Sequence, residues 1–141
     1  MTIPDVNVLL YATNRGALTH DISRRWLELA LGGAEPVGFA WNVLLAFVRI
    51  ATKAQIFERP LSPKEAFDMV DFWLAQPAAV VVAPTERHAA TLRSLVVPLG
   101  TAGNLSSDAH LAALAIEHGA VVISFDSDFE RFAGVTWRHP A

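Results

Sequence analysis

Short apolar runs of strand length alternate along the chain with longer segments whose apolar positions recur at helical spacing. Thr2–Asp5, Val37–Ala40, Ala79–Ala83 and the run AVVIS at 120–124 are predicted strands, with Val135–Arg138 as a possible edge strand. Pro4 is unusual for a central strand, because it cannot donate to a ladder. AVVVA at 79–83 is apolar at every position and is expected to be covered on both faces. Asn7–Thr13 is too short for periodicity to choose between strand and helix. Asp21 is predicted to cap a helix with Ile22, Trp26, Leu29 and Ala30 inward, stopped by Gly32-Gly33. Trp41–Thr52 is an apolar helix with Asn42 as its expected cap. Its polar line runs through Asn42, Arg49 and Lys53, and Ala46 lies on that line. Ser62 and Pro63 open the next helix, which is expected to bury Phe67, Val70 and Leu74 and to show Glu65, Asp68 and Asp71 to solvent. Thr85 is read as the cap of a further helix, with Ala89, Leu92 and Val96 inward. Ser106 or Ser107 is read as the cap of a last helix, which ends before Gly119.

Strands and helices in this order predict one α/β domain over residues 1–141, three layers deep, with a mainly parallel sheet. The 141 residues are enough to bury a sizeable core, and 52% of them are apolar. The net charge is −3 and the only lysines are Lys53 and Lys64, so a protein that coats nucleic acid through a general basic surface is excluded. An enzyme that grips phosphates through a few arginines is not. The absence of cysteine removes disulfides, thiol catalysis and cysteine-ligated zinc. No basic-plus-apolar leader and no apolar run of about 20 residues is seen, which predicts a cytoplasmic protein that does not cross a membrane.

Four aspartates change the picture. Asp5 closes the first strand, Asp108 falls in the first turn of the last helix, and Asp126 and Asp128 follow AVVIS. Each has an ordinary structural explanation, as a turn former, a cap or a charge placed well on a helix dipole. Together they point further, because ligands of open parallel sheets bind outside the carboxyl ends of strands. Carboxylates that converge there repel one another unless a cation is present. Oxygen donors without a histidine or cysteine cluster suit Mg²⁺ or Mn²⁺. Such a site serves phosphodiester hydrolysis, in which the ion activates water and offsets charge building on the phosphate.

These segments resemble the PIN-domain ribonucleases, and especially VapC toxins of bacterial toxin–antitoxin pairs. PDVNVLLYA is similar to the family's opening strand and its D-x-N signature. DAHLAALAIEHGA is similar to its central helix, and SFDSDFERF, followed by Trp137 and Pro140, to its ending. GFAWNVLLAFVRIATKAQIF is a further match in the middle of the chain. The resemblance implies a three-layer α/β/α fold and Mg²⁺- or Mn²⁺-dependent cleavage of RNA. It also implies a homodimer and a small VapB-like antitoxin that silences the site. It assigns Asp5, Asp108 and Asp126 to the metal, Asp128 either to the metal as a fourth ligand or to the support of the other three, and Asn7 and Ser124 as supports. The family's usual middle-helix glutamate is replaced here by Ala46. That departure raises a second reading, a degenerate domain that binds RNA or an antitoxin without cutting. Arg49 and Lys53 are candidates for RNA phosphate contacts or, equally, a solvated basic stripe at a helix end.

Other readings of clustered aspartates fit less well. A receiver-type phosphoacceptor needs a lysine after a late strand, and none follows Val121. A D-x-D phosphotransferase carries its pair after the first strand, not a late one. His110, two residues beyond Asp108, points about 200° around the helix from it and is expected to pack. His20, His88, His118 and His139 have no metal-ligand spacing, so none is assigned a catalytic role.

Overall fold

The computed structural model describes residues 1–54 and 57–141. Five strands form one sheet: β1 Thr2–Pro4, β2 Val37–Ala40, β3 Ala79–Val82, β4 Val121–Ile123 and β5 Thr136–Arg138. Their order is β3-β2-β1-β4-β5 and every pairing is parallel. Among the described residues six α-helices flank the sheet: α1 Val6–Thr13, α2 His20–Leu31, α3 Trp41–Ala51, α4 Pro63–Leu74, α5 His88–Val96 and α6 Ser106–Glu117. Helix α1 packs against both α2 and α3, α3 packs against α4, and α5 pairs with α6. The chain steps outward from β1 to β2 to β3, then crosses back through α5 and α6 to place β4 on the other side of β1. The strand order therefore reverses between β1 and β4, the place where open α/β sheets leave a crevice at their carboxyl edge.

The central strands are buried, with Ile3, Phe39 and Val122 at 0% exposure. Gly38 in β2 is required by close packing, because a Cβ there would lie 2.8 Å from Val82 Cγ1 and 3.1 Å from Ile3 Cγ1. The predicted stop of the last helix is real: Gly119 takes φ +62°, a conformation that favours glycine. Pro4 is tolerated in β1 because it is the last residue of that strand, after which the chain turns directly into α1. That turn settles Asn7–Thr13 as helix.

Several expectations are corrected. Helix α2 begins at His20 with Thr19 as its N-cap residue, so Asp21 lies in the first turn and caps nothing. Its buried face is Ser23, Leu27 and Leu31, whereas Ile22 and Leu29 are exposed. Helix α3 starts immediately after β2 with Ala40 as its extended N-cap residue, which places Asn42 inside the first turn where it cannot cap. In α4 the Ser62–Glu65 capping box forms as the pattern requires, and Glu65, Asp68 and Asp71 face solvent. The same helix buries Ala66, Val70 and Trp73 and leaves Phe67 exposed, because Trp73 stacks against Phe39 and meets Phe47 edge-on.

Strand β3 is an edge strand, and Val80 and Val81 are 38% and 51% exposed rather than covered on both faces. Thr85 does not cap α5, which starts three residues later, and Ala89 is exposed. Neither Ser106 nor Ser107 caps α6; a short 3-10 turn, Gly103–Leu105, leads into it and Ser106 Oγ donates to Gly103 O at 2.9 Å. Gln55 and Ile56, in the matched middle segment, lie outside the described residues.

Candidate metal centre

The carboxyl ends of β1 and β4 are tied together before any acid is considered. Asp5 N donates to Ile123 O at 2.8 Å, so the residue after β1 is anchored to the last residue of β4. Asp5 then caps α1, its Oδ1 accepting from Val6 N at 2.7 Å. Its Oδ2 accepts from Ser124 Oγ at 2.7 Å and from Asn7 Nδ2 at 3.2 Å. Asn7 Nδ2 also reaches Ser124 Oγ at 2.9 Å, and Asn7 Oδ1 accepts from Phe125 N at 3.3 Å. Ser124, at 0% exposure, accepts in turn from Asp126 N at 3.0 Å. The supports predicted around Asp5 thus form one network across the β1–β4 junction. It holds Asp126 in place from below.

Beyond Ser124 the chain enters a 3-10 turn, Ser127–Arg131, with Asp126 as its cap. Asp126 Oδ1 accepts from Asp128 N at 2.8 Å, which folds the two acids toward one another. Asp108, in the first turn of α6, completes the group. One carboxylate oxygen from each of Asp108, Asp126 and Asp128 lies within 4.8 Å of the others, and all three residues are half-buried.

The predicted metal set was Asp5, Asp108 and Asp126. The structure draws Asp128 into the tightest group and sets Asp5 beside it, 7% exposed and already accepting three hydrogen bonds. An ionised carboxylate has about four acceptor positions, so Asp5 retains capacity for one more partner. The nearest cation to the group is Arg131, whose Nε is 3.6 Å from Asp128 Oδ1.

The electrostatics agree with the geometry. Burial, then the charges of Asp5, Asp126 and Asp128, push the Asp108 carboxyl up to about 6. Burial also raises Asp5, against hydrogen bonds from Ser124 and Val6 that favour its charged form, and the charge of Asp126 adds to the rise. Among the described residues no hydrogen bond reaches the Asp108 carboxylate. Crowded, half-dry, all-oxygen donors with too few protein protons to balance them fit a hard divalent cation.

Arg49 and Lys53 are exposed near and beyond the C-terminal end of α3. Because α3 starts at the carboxyl edge of β2 and runs back along the sheet, Arg49 lies about 12 Å along its axis from that edge. Among the described residues neither pairs with an acid. Ala46 is half-buried, and one turn before it the buried Oδ1 of Asn42 has no hydrogen-bond partner. Asn42 is thus an unsatisfied acceptor at the carboxyl end of β2.

A second polar network, not visible in the sequence, joins α5 to α6. His88, to which no role was assigned, sits between Glu117 and His110. Glu117 Oε2 lies 2.5 Å from His88 Nδ1, and His88 Nε2 lies 2.8 Å from His110 Nδ1. Glu117 Oε1 accepts from Thr85 N at 2.9 Å and from Thr85 Oγ1 at 2.6 Å. Burial pushes the Glu117 carboxyl up, but hydrogen bonds from Thr85 and His88 outweigh it and hold the group below its ordinary value. Burial, then His88, lowers the His110 imidazole. The expectation that His110 packs rather than ligates agrees with this placement. Spacing within one element could not reveal the network, since His88 and Thr85 approach α6 from α5 and the loop before it.

The PIN domain profile matches residues 2–135 of the chain. Ribonuclease VapC37 of Mycobacterium tuberculosis is 56% identical over 140 residues, covering 99% of this chain and 97% of the relative. Ribonuclease VapC33 of the same organism is 38% identical over 140 residues, covering 99% and 98%. Among solved structures, VapBC2 from Rickettsia felis bound to a promoter DNA fragment superposes with a TM-score of 0.74 at 17% identity, covering 98% of this chain and 97% of that one. The Sarcin-Ricin loop cleaving toxin VapC20 of Mycobacterium tuberculosis superposes at 0.66 and 15% identity, covering 96% and 99%. The expected α/β/α fold is therefore the fold of known VapC structures, and the matches span nearly the whole chain: it belongs to the PIN-domain family, among the VapC proteins.

Proposed function

We propose that the chain is a divalent-metal-dependent ribonuclease, the toxin of a toxin–antitoxin pair. The observation that carries this reading is the group of Asp108, Asp126 and Asp128 at the β1–β4 switch point, with Asp108 pushed up to about 6. Relatives named as ribonucleases support RNA as the substrate. Asp108, Asp126 and Asp128 would hold Mg²⁺ or Mn²⁺, with Asp5 as the fourth carboxylate. When bound, the ion supplies Lewis-acid stabilisation of charge on the phosphate and activation of water.

The chain's own residues do the positioning. Asp5 fixes Ser124 and Asn7 through its hydrogen bonds, and Ser124 fixes the backbone of Asp126. The cap that Asp126 makes to Asp128 N sets the spacing of that pair. Arg131, beside Asp128, is exposed and suited to an RNA phosphate, as are Arg49 and Lys53 farther along α3. The absence of a glutamate at Ala46 leaves the four aspartates as the acidic set. The network around Asp5 is complete without it, which favours a working nuclease over a degenerate one.

The reading includes a VapB-like antitoxin and a homodimer. Similarity to VapBC complexes supports the first. The second is supported by Trp41 and Leu45, 46% and 56% exposed in successive turns of α3. Leu45→Glu is expected to convert dimer to monomer in sedimentation. The activity is tested by incubating labelled RNA with purified protein and Mg²⁺ or Mn²⁺, beside Asp5→Asn and Asp108→Asn. Cleavage confined to the wild type supports the assignment; cleavage that persists in both variants defeats it.

A further inference from the structure

Three aromatic rings touch one another in a row near the carboxyl ends of β4 and β5, and the central one, Phe125, is adjacent in sequence to Asp126. Tyr11 lies one turn beyond Asn7 on the same face of α1. Phe125 stands between Ser124 and Asp126, its backbone N–H held by Asn7 Oδ1. His139 follows β5, which pairs with β4, so it emerges at the same edge as Phe125. The Tyr11 and Phe125 rings meet edge-to-face with centroids 5.3 Å apart, and Phe125 and His139 meet likewise at 4.6 Å.

Tyr11 and Phe125 are half-buried, His139 is exposed, and neither Tyr11 nor Phe125 packs against the hydrophobic core. An edge-to-face contact uses the face of one ring and only the rim of the other. Two such contacts among three rings use at most two of six faces, so at least four are left free by the cluster itself. Aromatic faces not used within the cluster, beside a centre read as a ribonuclease site, have an obvious class of partner, since every unpaired base presents a π-face.

We propose that Tyr11, Phe125 and His139 form a platform on which unpaired bases of an RNA stack, placing the adjoining phosphate at Asp108, Asp126 and Asp128. Phe125 is the central ring, because it joins the other two and is adjacent in sequence to Asp126. The platform rests on the ribonuclease reading and adds to it which residues hold the strand and how: through the faces of its bases rather than through their hydrogen-bonding edges. Stacking is tolerant of base identity, so the rings hold the strand and leave sequence choice to other contacts.

The test is binding of a short single-stranded RNA carrying 2-aminopurine, measured by fluorescence with and without Mn²⁺, in wild type, Phe125→Leu, Phe125→Trp and Tyr11→Leu. Wild type is expected to quench the probe on binding. Each leucine variant is expected to weaken binding about 10-fold and lose quenching, while Phe125→Trp retains both. Thermal midpoint and Mn²⁺ affinity should stay at wild-type values in the leucine variants, which a merely structural role for the rings would not allow. Because a variant can misfold, the same loss is also sought from the RNA side, with abasic positions placed one at a time near the cleaved bond. Equal binding, quenching and KM in wild type and leucine variants, or an abasic RNA bound as tightly as the intact one, overturns the platform and leaves the ribonuclease reading standing. RNA that is bound and quenched but never cut keeps the platform and removes the nuclease. Failure of wild type to bind any RNA removes both.

Discussion

Helix α6 carries a buried or half-buried carboxylate near each end, and the two are driven in opposite directions. Asp108 in the first turn is pushed up to about 6, whereas Glu117 in the last turn is held below its ordinary value. They are about 14 Å apart along one helix axis. Glu117 is the more enclosed, its side chain 1% exposed, so burial alone does not explain the contrast. Donors do. Glu117 has Thr85 N, Thr85 Oγ1 and His88 around it; Asp108 has three other aspartates near it and no hydrogen bond among the described residues. A satisfied buried acid braces two helices, and an unsatisfied one among its like is a place for a cation.

Four changes break or sharpen this contrast. Asp126→Asn, or Asp108→Asn, is expected to cut RNA cleavage about 100-fold or more in a gel assay with Mn²⁺ while the fold survives. Removing a carboxylate at the other end acts on stability instead. Glu117→Ala leaves Thr85 and His88 without their acceptor and is expected to cost about 2–3 kcal/mol by urea unfolding, with cleavage per folded molecule unchanged. If Glu117→Ala abolishes cleavage at full stability, the division between bracing end and reacting end is wrong.

Acid pH separates the ends further. Asp108, raised in the fold, binds its proton more tightly folded than unfolded, so between its folded value of about 6 and the ordinary 3.8 the native state holds more protons. The raised Asp5 acts in the same direction. Metal-free protein should therefore gain stability, on the order of 1 kcal/mol after screening by solvent, as pH falls from 7.5 to about 5. Most of the gain should be lost in Asp108→Asn, with the part due to Asp5 remaining. Below that window Glu117 loses its bonds on protonation and stability should fall again. The smallest effect is expected from Ala46→Glu, which returns the family's glutamate and should lower the Mn²⁺ needed for half-maximal cleavage about 3-fold.

Much of this architecture is legible in the sequence, and where it is not the reasons are physical. Strand positions followed from short apolar runs bounded by glycine, proline and polar residues, and the Ser62–Glu65 capping box was readable because its chemistry is local. Burial was read less well. Val80 and Val81 have the apolar run of a covered strand, and nothing local says that β3 ends the sheet. Helix α2 turned its Ser23–Leu27–Leu31 stripe inward although Ile22 and Leu29 are more apolar than Ser23, because partners and not hydropathy choose the face.

The acids repeat this lesson. Asp5, Asp108 and Asp126 were legible from their positions at element ends. That Asp128 would close on Asp126 depended on a 3-10 turn, and that Asp5 would face Ser124 and Asn7 depended on the β1–β4 pairing. The Glu117–His88–His110 chain, which spans α5 and α6, left no local trace.

The most direct test of the surplus-charge account is calorimetric titration of metal-free protein with Mn²⁺ at pH 7.5, wild type beside Asp108→Asn and Glu117→Gln. The account predicts saturable binding by wild type, a comparable affinity in Glu117→Gln, and a loss of at least about 10-fold in Asp108→Asn. Absence of Mn²⁺ binding by wild type, or an unchanged affinity in Asp108→Asn, would contradict it.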